Sequence, residues 1–325
     1  MGIKLGVSFY SYQQAYYTGQ KNLEQLIDAT ANVVGAHGVE LIPEQMPVGS
    51  YPDPSEADVE RWFAWMEKYQ TEPTCMDSFI DWMLYKNRIL TKREQVDQMA
   101  RDLKLASRLG FKTLRVLCPV RKEIVEASLP FAEHYGVKMG LEIHAPMTLN
   151  SRWTVEYMDM VVRNGSRFAG LIIDFGIFAK RPARKLLTNA LQKGADPHIL
   201  EAIAVACADN KPTEFLLGIV KEMGGGQAET GVAMSWARNR FSQPDRMRDY
   251  ASYIIHCHGK FYDMDEQCNE TGIDYQSPIA VLKDIGYNGY ICSEFEGQRL
   301  YIGAEEPDEI EQVRRHHVMM RRLIG

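Results

Sequence analysis

Four apolar segments of this sequence each end in a side chain that can bind a metal ion. These side chains are the carboxylates of Glu142, Asp174 and Glu294 and the imidazole of His258. A polar or charged side chain at the end of a buried strand is costly unless another group compensates it. Because all four occur late in apolar runs, we expect them to meet at one shared site for a divalent cation.

The donor atoms of this set indicate which cation it would hold. Three carboxylates and one imidazole form a mainly hard ligand set, which suits Mn²⁺ or Mg²⁺, tolerates Co²⁺ and matches a thiolate zinc site poorly. Taken singly, each residue has an ordinary structural explanation. A glutamate at a strand end is often an ion-pair partner, and a lone histidine is often a satisfied hydrogen-bonding group. The prediction of a metal site therefore depends on the whole set.

Polar residues near two of these positions could take part in acid–base chemistry. Side chains alternate between the two faces of a strand, so His144 shares a face with Glu142. His144 is the best candidate for an acid or base, and the alternative is a hydrogen-bonded loop histidine. Lys260 could polarise a carbonyl group or bind an oxyanion, or it could form an ion pair with Glu294 or Glu296.

Two further positions leave alternatives open. Either His256 or His258 could be the ligand on the seventh strand. We favour His258 because it is nearer the C-terminal end, and we then expect His256 one layer deeper, as a core group or a hydrogen-bond partner of the site. Glu40 and Arg299 are weaker site candidates, and ion pairs at the rim are the better explanation for both.

Strand-like and helix-like segments alternate along the chain, which predicts a (β/α)8 barrel, a TIM barrel. In such a barrel the active site lies at the C-terminal ends of the strands, where the four candidate ligands are placed. The predicted strands are 4–10, 39–42, 73–76, 113–117, one ending at 142, one ending at 174, 256–260 and 291–294. The predicted helices are 23–34, 55–69, 91–109, 124–135 and 308–323.

The segment 180–248 is too long for one βα unit. It contains helical patterns at 198–208 and 212–223, so we interpret it as a helical insertion between strands six and seven, in a single domain that spans residues 1–325. Trp236 and Phe241, within this insertion, could shape an aromatic pocket or a subunit contact, although simple packing explains both.

Composition limits the class of protein. The 325 residues are 45% hydrophobic, which is ample for a large core, and the net charge of −6 argues against a nucleic-acid-binding surface. We find no signal peptide and no stretch apolar enough to span a membrane, and we expect a cytoplasmic protein without a membrane partner. The scattered cysteines contain no C-x-x-C pair and are predicted to be reduced thiols: Cys75, Cys118, Cys207, Cys257, Cys268 and Cys292.

The segments that carry the candidate ligands resemble the xylose-isomerase-like barrel superfamily of sugar isomerases and epimerases. Leu141-Glu-Ile-His144, Ile173-Asp174, His256-x-His-x-Lys260 and Ser293-Glu-Phe-Glu-Gly297 are similar, in order, to its four metal-ligand strands. The resemblance covers nearly the whole chain apart from the insertion, and it implies a metal site of the same four ligands. The endonuclease branch of the superfamily uses more histidines around three zinc ions, and a chain with eight histidines fits it poorly.

At a finer level the chain resembles the alpha, catalytic subunit of bacterial C-glycoside deglycosidases. The features that carry this resemblance are the opening segment 6–14, the Glu142-x-His144 pair and the segment 258–262. The resemblance implies a Mn²⁺-dependent carbon–carbon lyase that acts on a 3-oxo-glucoside of a flavonoid or another aromatic. It also implies a small β-sandwich beta subunit, and hence a hetero-oligomer. We assign the catalytic roles to Glu142, His144, Lys260 and Glu294.

The chemistry of such a substrate is consistent with these residues. A 3-keto sugar has an acidified proton at C2, and a metal that holds the C2 and C3 oxygens would stabilise the enediolate formed when that proton leaves. The negative charge can then expel the group on C1, and a phenol ortho to the glycosidic carbon lets that carbon leave through its keto tautomer. His144 is our candidate for the acid near this phenol.

Two other function classes share parts of this description. A sugar isomerase or epimerase that acts on a free ketose would use the same first step, proton removal beside a carbonyl. A non-catalytic barrel that binds a sugar or scaffolds a partner would use only the fold. The four strand ends alone do not separate these alternatives.

Overall fold

The structure is a computed structural model that describes residues 2–117, 119–237, 239–302 and 305–325. Within these residues, parallel strands form a closed barrel in the order of the sequence, β1 to β8. The predicted (β/α)8 barrel is confirmed. The strands are β1 (Lys4–Ser8), β2 (Gly38–Leu41), β3 (Glu72–Ser78), β4 (Thr113–Val116), β5 (Lys138–Ile143), β6 (Ala169–Asp174), β7 (Ile254–Phe261) and β8 (Tyr290–Phe295).

Helices surround the barrel and cover its outer, apolar face. They are α1 (Gln13–Tyr17), α2 (Leu23–Asp28), α3 (Glu56–Tyr69), α4 (Lys92–Arg108), α5 (Lys122–Tyr135), α6 (Arg152–Asn164), α7 (Arg184–Gln192), α8 (Pro197–Ala208), α9 (Thr213–Glu222), α10 (Gln227–Ser235), α11 (Gln276–Asp284) and α12 (Glu309–Ile324). Helices α1, α6, α7, α10 and α11 are not among the elements predicted from the sequence. The predicted helix 23–34 is α2 followed by a π-helix at Ala29–Val34.

Local sequence signals explain where several helices begin and end. The hydroxyl of Ser55 accepts a hydrogen bond from the Asp58 N–H at the start of α3, and Thr91 does the same for Glu94 at the start of α4. Helix α5 ends at Gly136, which has a φ of 66° and takes the left-handed conformation that glycine tolerates best. These starts and ends agree with the predicted ones to within two residues.

Strand β3 differs from its predicted bounds in a way that affects the site. The prediction ended it at Met76, but the strand continues to Ser78, and Asp77 is paired with Arg115 of β4 in the parallel ladder. Aspartate has a low preference for strands, and here ladder pairing and tertiary context override that preference. Asp77 therefore lies inside the barrel wall and not in a loop.

The chain between β6 and β7, residues 175–253, carries helices α7 to α10. Helix α10 packs against α7, α8 and α9, so these helices form one group. Two contacts join this segment to the loops that follow β7 and β8. Ala179 forms a β-bridge with Ile273, and the Asn189 side chain donates a hydrogen bond to the Leu300 carbonyl. The insertion thus borders the C-terminal face of the barrel.

Two sequence expectations concern the chain as a whole. Five cysteines are unpaired thiols in the structure, and Cys118 lies outside the described residues. Within the described ranges, no helix combines the length and the apolar character needed to cross a membrane.

Candidate metal centre and reaction site

Consecutive strands bring the four candidate ligands together. Glu142 lies on β5, Asp174 on β6, His258 on β7 and Glu294 on β8, and all four side chains are buried. One ligand atom from each lies within 4.8 Å of the ligand atoms of the other three. Asp174 and His258 are paired directly in the ladder, which sets their side chains on the same layer. The set that the sequence predicted to meet is therefore one cluster.

The two nitrogen atoms of the His258 imidazole face different carboxylates. Its Nδ1 lies 2.8 Å from Glu142 Oε1 and 3.7 Å from Glu294 Oε2, whereas its Nε2 lies 3.2 Å from Glu40 Oε1. If Nδ1 is the metal ligand, Nε2 carries the proton and faces a carboxylate that can accept it. Such carboxylate–histidine pairs fix the tautomer of metal-binding histidines.

The cluster retains buried oxygen atoms that a cation would satisfy. Asp174 Oδ1 accepts the Gly176 N–H at 2.6 Å, and a side chain at Gly176 would crowd this oxygen, because its Cβ would lie only 2.8 Å away. Asp174 Oδ2 and Glu294 Oε2 lie within ion-pair distance of Lys260 but make no oriented hydrogen bond within the described residues. Buried polar atoms are almost always satisfied in native proteins, so the residues fit a bound divalent cation.

Lys260 is held among carboxylates at the edge of the cluster. Its Nζ lies 2.8 Å from Asp174, 3.2 Å from Glu294 and 3.4 Å from Glu296. Burial by itself would lower the pKa of Lys260, but the nearby carboxylates raise it well above its usual value. The lysine is therefore an ammonium ion that points into the barrel mouth, in the ion pairs that the sequence offered as one alternative.

Arg115 and Asp77 are buried at the same site, and the sequence prediction missed both. The Arg115 guanidinium lies 3.3 Å from Asp77, 3.4 Å from Glu294 and 3.5 Å from Glu142. Arg115 sits in the middle of the apolar β4 segment, and an arginine in such a run was the available signal, because a buried charge requires partners.

The structure corrects the expectation for Glu40. This residue is not at the rim: it is fully buried on β2, and its Oε2 lies 2.6 Å from His256 Nε2. It cannot be a rim residue because every residue of β2 is buried. His256 lies in the deeper layer, as expected. Arg299 does lie at the rim, where it hydrogen-bonds the Tyr10 hydroxyl and lies 4.0 Å from Glu296.

His144 follows β5 and is half-buried at the mouth of the barrel. Its Nδ1 lies 2.7 Å from the carbonyl oxygen of Ala145. A carbonyl oxygen can only accept a hydrogen bond, so Nδ1 must carry a proton, and in the neutral ring the lone pair is on Nε2. This arrangement is compatible with a role as acid or base.

The cluster forms the floor of a cavity of about 610 Å³. His144, Lys260 and Arg115 border this cavity together with the three carboxylate ligands Glu142, Asp174 and Glu294, whereas His258 lies behind them. The size of the cavity is in the range of about 300–1,000 Å³ found for small-molecule sites. Polar groups outside the strands complete the wall, among them the amides of Gln13, at the start of α1, and Gln45, in the loop after β2, which hydrogen-bond each other at 2.7 Å. Neither residue was identified as a site residue from the sequence.

Comparison with known proteins places this chain in a family. A model of the family described as xylose isomerase-like TIM barrel matches residues 27–322. A C-glycoside deglycosidase alpha subunit of Arthrobacter globiformis is 30% identical to this chain over 329 residues, covering 99% of this chain and 93% of the relative. A 3'-dehydrocarminate deglycosidase alpha subunit of Microbacterium sp is 26% identical, with coverages of 99% and 95%.

The fold is also similar to solved structures. D-psicose 3-epimerase of Clostridium cellulolyticum H10 aligns with a TM-score of 0.59, at 13% identity, and the alignment covers 99% of each chain. At this identity the likeness concerns the barrel fold alone.

Proposed function

The chain belongs to the xylose isomerase-like TIM barrel family, and from this premise we propose that it is the metal-dependent catalytic subunit of a lyase that cleaves 3-oxo-C-glucosides of aromatic compounds. Similarity over nearly the full length to enzymes named deglycosidase alpha subunits supports an enzyme of this kind. The observation that carries the proposal is the position of His144, which borders the same cavity as the three carboxylates of the four-residue cluster.

Glu142, Asp174, His258 and Glu294 would hold the cation, most plausibly Mn²⁺, with Mg²⁺ or Co²⁺ as substitutes. When bound, the cation would supply a Lewis acid that stabilises the negative charge developed beside the ketone of a 3-keto sugar. Arg115 and Lys260 lie 2.8–3.5 Å from the carboxylates of this cluster and offset part of their negative charge.

Different side chains of the protein would carry out the two proton transfers. Glu142 or Glu294, on the cavity floor, takes the proton from C2, and the Lys260 ammonium stabilises the negative charge on the ketone oxygen. The electron pair forms a C1–C2 double bond as the bond from C1 to the aromatic carbon breaks. His144 in its protonated form gives a proton to that aromatic carbon. The products are the free aromatic and an unsaturated 3-keto sugar.

Two of the relatives in this comparison are named alpha subunits, which implies a partner subunit. We propose that a small β-sandwich beta subunit joins this chain in a hetero-oligomer, and that the complex acts in the cytoplasm. The first test is metal analysis of the purified chain, combined with an assay of aromatic release from several 3-oxo-C-glucosides, with and without the partner. Metal-loaded complexes that release no aromatic from any of these substrates would contradict the lyase proposal.

A second test addresses His144. The His144→Ala variant should lose turnover by a factor of about 10²–10⁴, because a positioned acid is removed, while its metal content stays at the wild-type level. His134→Ala is the matched control, since His134 is exposed on α5 away from the cavity. If His144→Ala loses its metal in parallel with its activity, His144 is a ligand or a structural support and not the acid.

The alternative is a sugar isomerase or epimerase that acts on a free ketose with the same cluster. The four-residue cluster is compatible with this alternative, because proton removal beside a carbonyl is common to both reactions. Incorporation of deuterium from heavy water into a free ketose, with no release of an aromatic from any glucoside, would select this alternative.

A further inference from the structure

A second cavity, of about 290 Å³, lies beside the reaction cavity. Ala145 and Tyr262 border both cavities, so the two share a wall. Ala145 directly follows His144 in the chain. The His144 imidazole borders the first cavity only. A molecule held over the metal cluster that extends past Tyr262 would therefore pass the imidazole before its far end reached the second cavity.

The helical insertion builds most of this second cavity. Trp236, directly after α10, is 8% exposed and forms part of the wall. Leu186 of α7, Ala183 and Ile273 provide further apolar surface. Trp236 is also part of the hydrophobic core, so the packing role expected from the sequence and the role in a cavity wall coexist in one side chain.

The two cavities have opposite chemical character. Carboxylates, Lys260 and Arg115 surround the first, which suits a ligand part rich in oxygen atoms. Apolar side chains with one indole dominate the second, which suits a flat apolar ring system. A ligand that matches both has a polar part and an aromatic part joined directly.

One polar group in the second cavity could orient an aromatic ring. Glu270 Oε2 accepts hydrogen bonds from the Gly272 and Ile273 N–H groups, which fix the position of the carboxyl group. Burial raises the pKa of Glu270 to about 8, so the group carries a proton at neutral pH. A protonated carboxyl group can donate a hydrogen bond to a phenolic or carbonyl oxygen on the ring.

We propose that the second cavity is the subsite for the aromatic part of the substrate, and that Trp236 on the insertion determines which aromatic fits beside His144. This inference rests on the proposed function for the identity of the sugar part. It extends that function by assigning substrate selectivity to the insertion, and it does not depend on which metal occupies the cluster.

Binding of an aromatic without a sugar tests the subsite separately from catalysis. Isothermal titration of the metal-loaded full chain with a free trihydroxyflavone should show saturable binding. Trp236→Ala should weaken it about tenfold, because one ring contact is lost. Ala183→Leu, which adds bulk to the wall and leaves Trp236 in place, should weaken it to a similar extent. Trp153→Ala, at an exposed tryptophan on α6, should bind like the wild type.

Kinetics then connect the subsite to the reaction. For a 3-oxo-C-glucoside of the flavone, Trp236→Ala should raise KM about tenfold, whereas KM for the corresponding single-ring phenol should change less than about twofold. Equal changes for both substrates, or flavone binding that neither variant weakens, would overturn the subsite. If no glucoside is cleaved but flavone binding responds as described, the proposed function fails and the aromatic subsite stands.

Discussion

Ionisable side chains are buried in two regions of the molecule, the barrel mouth and the buried face of α12 that carries Glu309 and His317, which we call the seam. The two regions differ in whether their buried groups keep their charge. Desolvation disfavours the charged form in both. At the mouth, Arg115 and His258 outweigh it and hold the pKa of Glu142 well below its usual range. At the seam, burial raises the pKa of Glu309 to about 7 and lowers that of His317 to about 3.

The difference shows that burial alone does not decide whether a group stays charged, because neighbouring charges can outweigh the cost of desolvation. Glu309 accepts two backbone N–H groups, those of Gln14 and Ala15, and these dipoles do not offset its desolvation. The mouth holds Arg115 and Lys260 as full positive charges. Carboxylates still exceed cations there, and burial raises the pKa of Glu294 to about 7 in the metal-free chain. A divalent cation would remove this excess.

The largest expected effect comes from removing one ligand at the mouth. Glu142→Gln should lose bound metal and reduce activity about a thousandfold or more, because the neutral amide is a weaker ligand for a hard cation. Metal content and release of the aromatic are measured on the same preparation. Glu296→Gln is the matched control, since Glu296 lies at the mouth but outside the four-residue cluster, and it should keep its metal. Full metal occupancy in Glu142→Gln would show that the charge of this carboxylate is not needed at the mouth, and the contrast with the seam would fail.

The next effect concerns stability and the charge balance of the mouth. Arg115→Met should lower the free energy of unfolding of the metal-free chain by about 3–5 kcal/mol, since the buried carboxylates lose their cation. Saturating Mn²⁺ should reduce this loss, because the metal replaces part of the missing positive charge. Denaturant unfolding with and without metal measures both values.

The control for this variant is Arg248→Met. Arg248 forms surface ion pairs with Asp245 and Asp284, and its loss should cost about 0–1 kcal/mol with or without metal. An Arg115→Met chain with the same small loss would mean that the buried carboxylates at the mouth take up protons when their cation is removed.

The smallest effect is the pH dependence of the seam. The pKa of Glu309 in the folded chain, about 7, lies above its ordinary value of 4.5, so the folded chain binds this proton more tightly than the unfolded chain. The stabilisation is complete below pH 4.5 and is lost as the pH rises through 7, by about 3 kcal/mol. Glu309→Gln should lack this loss. Unfolding free energies between pH 4.5 and 8 measure the difference between the two chains.

Glu311 on the same helix is a control, because its contribution to stability should change with pH in the opposite direction. Arg314 lowers the pKa of Glu311 to about 2, so stability from this group is present above pH 4.5 and decreases on acidification. Identical pH profiles for the wild type and Glu309→Gln would show that the seam compensates its buried charge as the mouth does.

The sequence predicted the barrel and the ligand set because both depend on local patterns. Alternating apolar segments mark strands, and carboxylates or imidazoles at their ends mark the C-terminal face. The deeper polar layer escaped prediction for the same reason. Arg115 interrupts an apolar run without any periodic signal, and Asp77 lies beyond the predicted end of β3.

The sequence by itself determined the fold class, the identity of the four candidate ligands and the side of the barrel on which they lie. Only the tertiary structure decided which charges balance them and which cavity adjoins them. Arg115 and Glu294 are 179 residues apart in the chain, and strand register around a closed barrel brings them to 3.4 Å. The insertion likewise becomes a cavity wall only by packing against the loop after β7, since contacts between distant segments leave no local pattern.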